Sequence, residues 1–171
     1  MADTDEQDLF AQLERFPGDE ATRMVYADWL EQHGYEILAR FVRGDDDTAV
    51  VSVSNLRWRA NTSRARLVCD RPTCPGAWDR LVTTEHARVR RCTACHEFAV
   101  YCGSSQEAST AGSSRLVVAF DPSQRETMAR VFERQRYPWR YGTYNPPPPG
   151  TRMPEYQDPY ATAVAALGPD E

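Results

Sequence analysis

The segment CDRPTCPGAWDRLVTTEHARVRRCTACHEFAVYC, residues 69–102, holds every cysteine of the chain: Cys69, Cys74, Cys92, Cys95 and Cys102. Five thiols within 34 residues, and none elsewhere, point to one shared site. The C-x-x-C-H of residues 92–96 is the spacing of c-type haem attachment, of redox dithiols and of zinc knuckles. Haem attachment belongs to exported proteins, and the N-terminus MADTDEQDLF is acidic where a secretory leader is basic and then apolar. A redox dithiol sits at the start of a helix, whose dipole lowers the thiol pKa. The residues after Cys95 instead read HEFAVYC, with Phe98, Val100 and Cys102 alternating as on one face of a strand. Zinc fits better, because a C-x-x-C on a tight turn offers two sulfurs to one tetrahedral ion and a second pair roughly 15–20 residues away closes the shell. Cytoplasmic reduction keeps such thiols available for metal.

Two ligand sets satisfy that reasoning. Cys69 and Cys74 can join Cys92 and Cys95 as two knuckles of a zinc ribbon; alternatively Cys74, Cys92, Cys95 and Cys102 bind Zn2+ and Cys69 is a small thiol at a strand end. His86 and His96 lie nearby, in positions where a histidine beside a knuckle supports the ligands or faces solvent. Four sulfurs leave no open coordination position, so the zinc is structural and no catalytic residue is assigned. Asp79 and Glu85 are carboxylates near the cysteines, but their types and spacing occur by chance in any such chain. The expectation is a protein that is not an enzyme.

Composition narrows the classes further. All 20 basic residues are arginine, which removes Schiff-base, Walker-type and lysine general-base chemistry. The net charge of -5 disfavours a general nucleic-acid binder, yet the charge is uneven: residues 1–50 hold 13 acidic and 4 basic side chains, residues 51–100 hold 4 and 9. Arg57, Arg59, Arg64 and Arg66, with Trp58 interleaved for stacking, therefore form a candidate anion-binding or nucleic-acid surface. A solvated arginine-rich face is the plainer reading. No apolar run reaches the roughly 20 residues of a membrane span, and the expected location is the cytoplasm.

The elements that must position the cysteines can be read from periodicity. Leu9, Phe10, Leu13 and Phe16 recur at helical spacing until Pro17-Gly18; Asp19 then caps a second helix running to His33, with Gly34 at its left-handed end. Val25, Tyr26, Trp29 and Leu30 give that helix a broad stripe whose plain role is core, although Asp28 and Trp29 also suit a recognition surface. Ile37, Leu38, Phe41 and Val42 predict a third short helix ending near Gly44. AVVSVS, residues 49–54, alternates as a strand, and further strands are expected at 64–68, near 98 and at 115–120. The small polar run 101–114 reads as a flexible loop, and Asp121-Pro122 opens a helix that ends before Pro138 and covers the sheet.

VYADWLEQHGYEILARFVRG, residues 25–44, resembles the bacterial repeat-companion domain, with its core at Tyr26, Ala27, Asp28, Trp29, Leu30 and Glu31, a glycine at Gly34 and the ending Phe41-Val42-Arg43. The likeness covers roughly residues 5–44 and implies a module found beside repeats or other small domains, without an established activity. CPGAWDRLVTTEHARVRRCTACHEFAVYC is similar to a cysteine-rich segment that often follows this module, matching at Cys74, Pro75, Trp78, Asp79, Leu81, Thr84, Val89, Arg90, Cys92, Cys95 and Cys102. That resemblance implies the ligand set Cys74, Cys92, Cys95 and Cys102. A further cysteine of those relatives falls in the segment corresponding to RLVVAF, where this chain has none.

The last 35 residues carry eight prolines, five tyrosines and a tryptophan, the composition of an extended arm with little of its own to bury. Trp139, Tyr141, Tyr144, Tyr156 and Tyr160 are its candidate anchors for another protein. The expected fold class is thus α+β: a helical module at 1–44; a small zinc-ribbon-like domain at 48–137, with an antiparallel sheet and one covering helix; and a Pro/Tyr-rich arm at 138–171. The function expected of it is a non-enzymatic adaptor held by a structural zinc, with nucleic-acid binding as the alternative.

Overall fold

The computed structural model describes residues 4–45, 49–69, 71–114, 116–120 and 158–167. The expected helix after Pro122 and the anchors Trp139, Tyr141, Tyr144 and Tyr156 lie outside them.

Helices α1 (Thr4–Arg15), α2 (Glu20–Gln32) and α3 (Glu36–Arg43) form the N-terminal module. Asp19 caps α2 by accepting from the Ala21 amide (3.1 Å) and the Thr22 hydroxyl (2.7 Å). Gly34 (φ 81°) and Gly44 (φ 106°) close the second and third helices in the left-handed region that glycine adopts without strain. Leu13, Tyr26, Ala27, Leu30, Ala39 and Val42 make the buried core of the module, with Trp29 packed at its margin.

Residues 49–54 depart from expectation, because Val50–Val53 form one helical turn, α4, with Val50 fully buried. Valine alternation over so short a run does not separate the two periods, and here the Ser52 and Ser54 hydroxyls donate back to the Ala49 and Val50 carbonyls, satisfying a turn. Helix α5 (Leu56–Thr62) follows, capped by Asn55.

The sheet comprises β1 (Leu67–Val68), β2 (Val82–Thr83), β3 (Val89–Arg91), β4 (Phe98–Cys102) and β5 (Val117–Phe120), in the order β1-β5-β4-β3-β2. It is mixed rather than antiparallel, since β4 and β5 run parallel with Ala99 opposite Val117 and Cys102 opposite Phe120. Parallel neighbours need a crossover. It is supplied by α6 (Ser105–Ser113), in the segment read from sequence as a flexible loop. Ser104 accepts from the Glu107 amide (3.2 Å) and Glu107 returns a carboxylate oxygen to the Gly103 amide (2.8 Å), a reciprocal cap that starts the helix.

Strand alternation sends the sheet's side chains to two separate cores. On one face Val89, Val100, Cys102, Val118 and Phe120 pack against Ala108 and Ala111 of α6 and against Ala163, Ala166 and Leu167 of the C-terminal segment, where α7 spans Pro159–Ala165. On the other face Ala99, Tyr101, Val117 and Ala119 meet Trp78, Leu81, Ala60 and Ala65, and the remaining cysteines adjoin this second core.

Candidate metal centre

Two loops bring four cysteines together on that second face. Cys92 follows β3, and the turn to β4 is closed by the Cys92 amide donating to the Glu97 carbonyl (3.0 Å) and the His96 amide donating to the Cys92 carbonyl (3.0 Å). His96 takes a left-handed conformation (φ 62°) just after Cys95, where glycine would be easier. The second loop leaves β1 at Cys69, turns through a Cys74 amide bond to the Arg71 carbonyl (3.0 Å), and returns at Gly76 (φ 68°), whose carbonyl accepts from the Leu67 amide (3.0 Å).

The sulfurs of Cys69, Cys74 and Cys95 lie within 4.8 Å of one another. Cys92 stands outside that mutual group but adjoins it in the same core, its sulfur accepting from the Cys95 amide (3.5 Å). A tetrahedral ion with metal–sulfur bonds of about 2.3 Å has sulfur–sulfur edges of about 3.8 Å, so a small contraction of this group would suffice to hold one. A backbone N–H is already aimed at one sulfur, that of Cys95 donating to Cys92 (3.5 Å), and the amides of Ala94, Glu97 and Gly76 lie close enough to act on their thiols' pKa values. Such donors favour the thiolate, the form that binds metal.

Their competition with burial differs from site to site. Burial pushes Cys95 up to about 12, with the neighbouring Cys92 and Cys69 adding to the rise and the Glu97 amide opposing it. Burial and the Cys69 thiol likewise raise Cys74 against the Gly76 amide. At Cys92 burial acts upward too, but the amides of Cys95 and Ala94 and the two adjacent thiols outweigh it and bring the pKa below the ordinary thiol value. The thiolate is therefore favoured at Cys92 and opposed at Cys74 and Cys95, where a cation entering the cluster would offset the cost of deprotonation.

Cys102 is not part of this arrangement. It points with Phe98 and Val100 to the opposite face of the sheet, fully buried, its thiol 3.9 Å from the Val100 carbonyl. Burial, reinforced by Glu107, raises its pKa strongly. Of the cysteines in the two expected ligand sets, Cys69, Cys74, Cys92 and Cys95 share one face, and strand parity puts the sheet between Cys102 and these four. His86 accepts from the Arg88 amide at Nδ1 (3.2 Å) and His96 is exposed.

Of the candidate anion-binding arginines, Arg59 is buried while Arg57 and Arg64 form exposed ion pairs with the helical module. Arg57 pairs with Glu14 of α1 (3.1 Å) and Arg64 with Glu20 of α2. Arg59 is buried and donates to the Ser54 carbonyl (2.7 Å), while Arg66 is exposed and bridges through its backbone to Ala77. Trp58 donates its indole N–H to the Tyr26 hydroxyl (3.0 Å) and lies against Phe41, joining the module to α5 instead of facing a base. Tyr160, read as a partner anchor, packs on Phe98 of its own sheet at 5.6 Å between ring centroids.

Sequence reasoning passed over two buried arginines. Arg23 donates to the carbonyls of Thr62 and Pro17 (2.6 Å to the latter). Arg90 stacks over Trp78 at 4.4 Å and donates to the Trp78 and Ala60 carbonyls (3.0 and 3.2 Å). Burial lowers the pKa of both, and the Asp79 carboxylate opposes that shift in each case. Asp79 thus lies near enough to both buried cations to favour their charge, a placement its sequence spacing does not signal. No family model, curated protein or solved structure matches this chain.

Proposed function

We propose that this chain is a non-enzymatic adaptor whose small sheet domain is fastened by one structural Zn2+ on Cys69, Cys74, Cys92 and Cys95. The observation that carries the reading is the convergence of the Cys69, Cys74 and Cys95 sulfurs within 4.8 Å of one another, with Cys92 adjoining them in the same core. All-sulfur donation suits zinc, fills a tetrahedral shell and leaves no position for a substrate or an attacking water. Bound zinc would supply folding free energy, of order 10 kcal/mol in apparent terms for such sites, to a sheet whose edge strands are only two residues long. The partner in this reading is another protein, met through the Pro/Tyr-rich arm at 138–171.

The test is metal content by mass spectrometry on protein purified without chelator. About one zinc per chain is expected, lost in Cys92→Ser and Cys69→Ser and kept in Cys102→Ser. Zinc lost with Cys102→Ser but kept with Cys69→Ser would restore the other ligand set. Protein free of metal in every preparation would end the zinc reading.

A further inference from the structure

We propose that metal loading at the two cysteine loops controls how firmly the helical module is docked on the sheet, with Trp78 as the coupling residue. The inference rests on the zinc reading above and extends it to regulation of the same centre.

Both metal loops run directly into the junction. Four residues after Cys74, the fully buried Trp78 donates its indole N–H to the Ala60 carbonyl of α5 (2.6 Å), and its amide is bonded to the Ala65 carbonyl (2.9 Å). Two residues before Cys92, Arg90 covers the same indole and binds the same Ala60 carbonyl. Two residues along α5, the Thr62 carbonyl is taken by Arg23 of α2, which also holds Pro17 in the turn between α1 and α2. That turn abuts the metal loop's continuation: a Cβ on Gly18 would stand 3.1 Å from the Asp79 carbonyl oxygen. Buried hydrogen bonds thus run from Trp78 and Arg90 to α5 and from α5 to Arg23 of the module, and Cys74 joins them through the backbone of residues 75–77.

Among the described residues, the side-chain link between the loops at 69–76 and 92–97, apart from the thiols, is the exposed Arg71–Glu97 pair at 3.2 Å, and exposed pairs of this kind contribute little. An ion bridging Cys69 and Cys74 to Cys92 and Cys95 fixes both ends of the segment that carries Trp78 and Asp79. Without it, Trp78 and the carbonyl network around it lose their anchorage while the module's own core, Leu13, Tyr26, Leu30 and Val42, stays intact. Linkage makes the coupling reciprocal: a substitution that populates the undocked state without touching a cysteine must weaken zinc binding, up to the factor by which zinc favours docking.

The experiment has three measurements on the full chain. Zinc stoichiometry comes first, and a chain that binds none overturns this inference together with the zinc reading. Zinc affinity by competition with a chromophoric chelator then compares wild type with Arg23→Met and, as a milder change, Trp78→Phe, which drops the bond to Ala60. A loss of about 10-fold is expected; affinity unchanged in both, with zinc still bound at full stoichiometry, overturns the coupling alone. Hydrogen exchange on chelation provides the third readout. Faster exchange at residues 56–63 and 77–81, with α2 and α3 still protected, is expected; change confined to 69–76 and 92–97, or uniform loss across the chain, overturns it.

Discussion

Buried arginines carry much of this fold, and their partners decide what substitutions cost. Arg88 is almost fully enclosed and pairs with Glu107 at 2.6 Å, while its Nε donates to the Tyr101 carbonyl (3.2 Å). Replacing one member of a buried pair leaves an uncompensated charge, at about 3–5 kcal/mol. Glu107→Leu should therefore lower the unfolding free energy by roughly that amount in a urea titration, and it also removes the acceptor for the Gly103 amide. A loss well under 1 kcal/mol would mean that Arg88 is satisfied without its carboxylate. At this scale the cysteines were legible, since spacing alone picks out both loops. Cys102 was not: its alternation with Phe98 and Val100 shows that the three share a face, but only the packing of α6 and α7 determines which face that is.

Among the elements, α2 has a start that responds to pH. Hydrogen bonds from the Thr22 hydroxyl and amide, and from the Ala21 amide, hold the Asp19 carboxyl below its ordinary value of 3.8, against a small opposing effect of burial. A carboxylate with a depressed native pKa contributes stability above its unfolded pKa and loses it as pH falls through the native one. The melting temperatures of wild type and Asp19→Ala should accordingly differ by a constant amount above about pH 5 and converge towards pH 2. A gap that persists unchanged in acid would show that the carboxylate charge plays no part in the cap. The three helices of the module were readable because each stop is a glycine or Pro-Gly signal. Helix α6 was missed even though Ser104 and Glu107 stand at capping-box spacing, because its small polar composition outweighed that signal. Its buried side chains are alanines, and helix formation there depends on docking Ala108 and Ala111 against the sheet.

Across the described residues, the oppositely charged segments pair with each other at the surface. The acidic module and the arginine-rich middle face each other through Glu14–Arg57 and Glu20–Arg64, so the sequence asymmetry that suggested an anionic partner is partly neutralised within the fold. With a net charge of -5 remaining, affinity for a single-stranded oligonucleotide should be weaker than about 10⁻⁴ M at physiological salt, the weak limit of non-specific binders. Fluorescence anisotropy across salt concentrations checks this. Micromolar binding that falls steeply with salt would favour the nucleic-acid reading over the adaptor. The α+β class could be read from sequence, but the mixed order of the sheet could not, since it follows from a parallel pairing across α6 that no local signal announces.

The position of α7 bears on the order in which the protein can assemble. Ala163, Ala166 and Leu167 cover a face built by Val89, Val100 and Val118, so part of that face is completed only after roughly 45 to 75 further residues have left the ribosome. The helical module closes through contacts between neighbouring helices and can form early. The sheet must wait with an apolar side exposed, the interval in which a nascent chain is most open to chaperones or to a wrong neighbour.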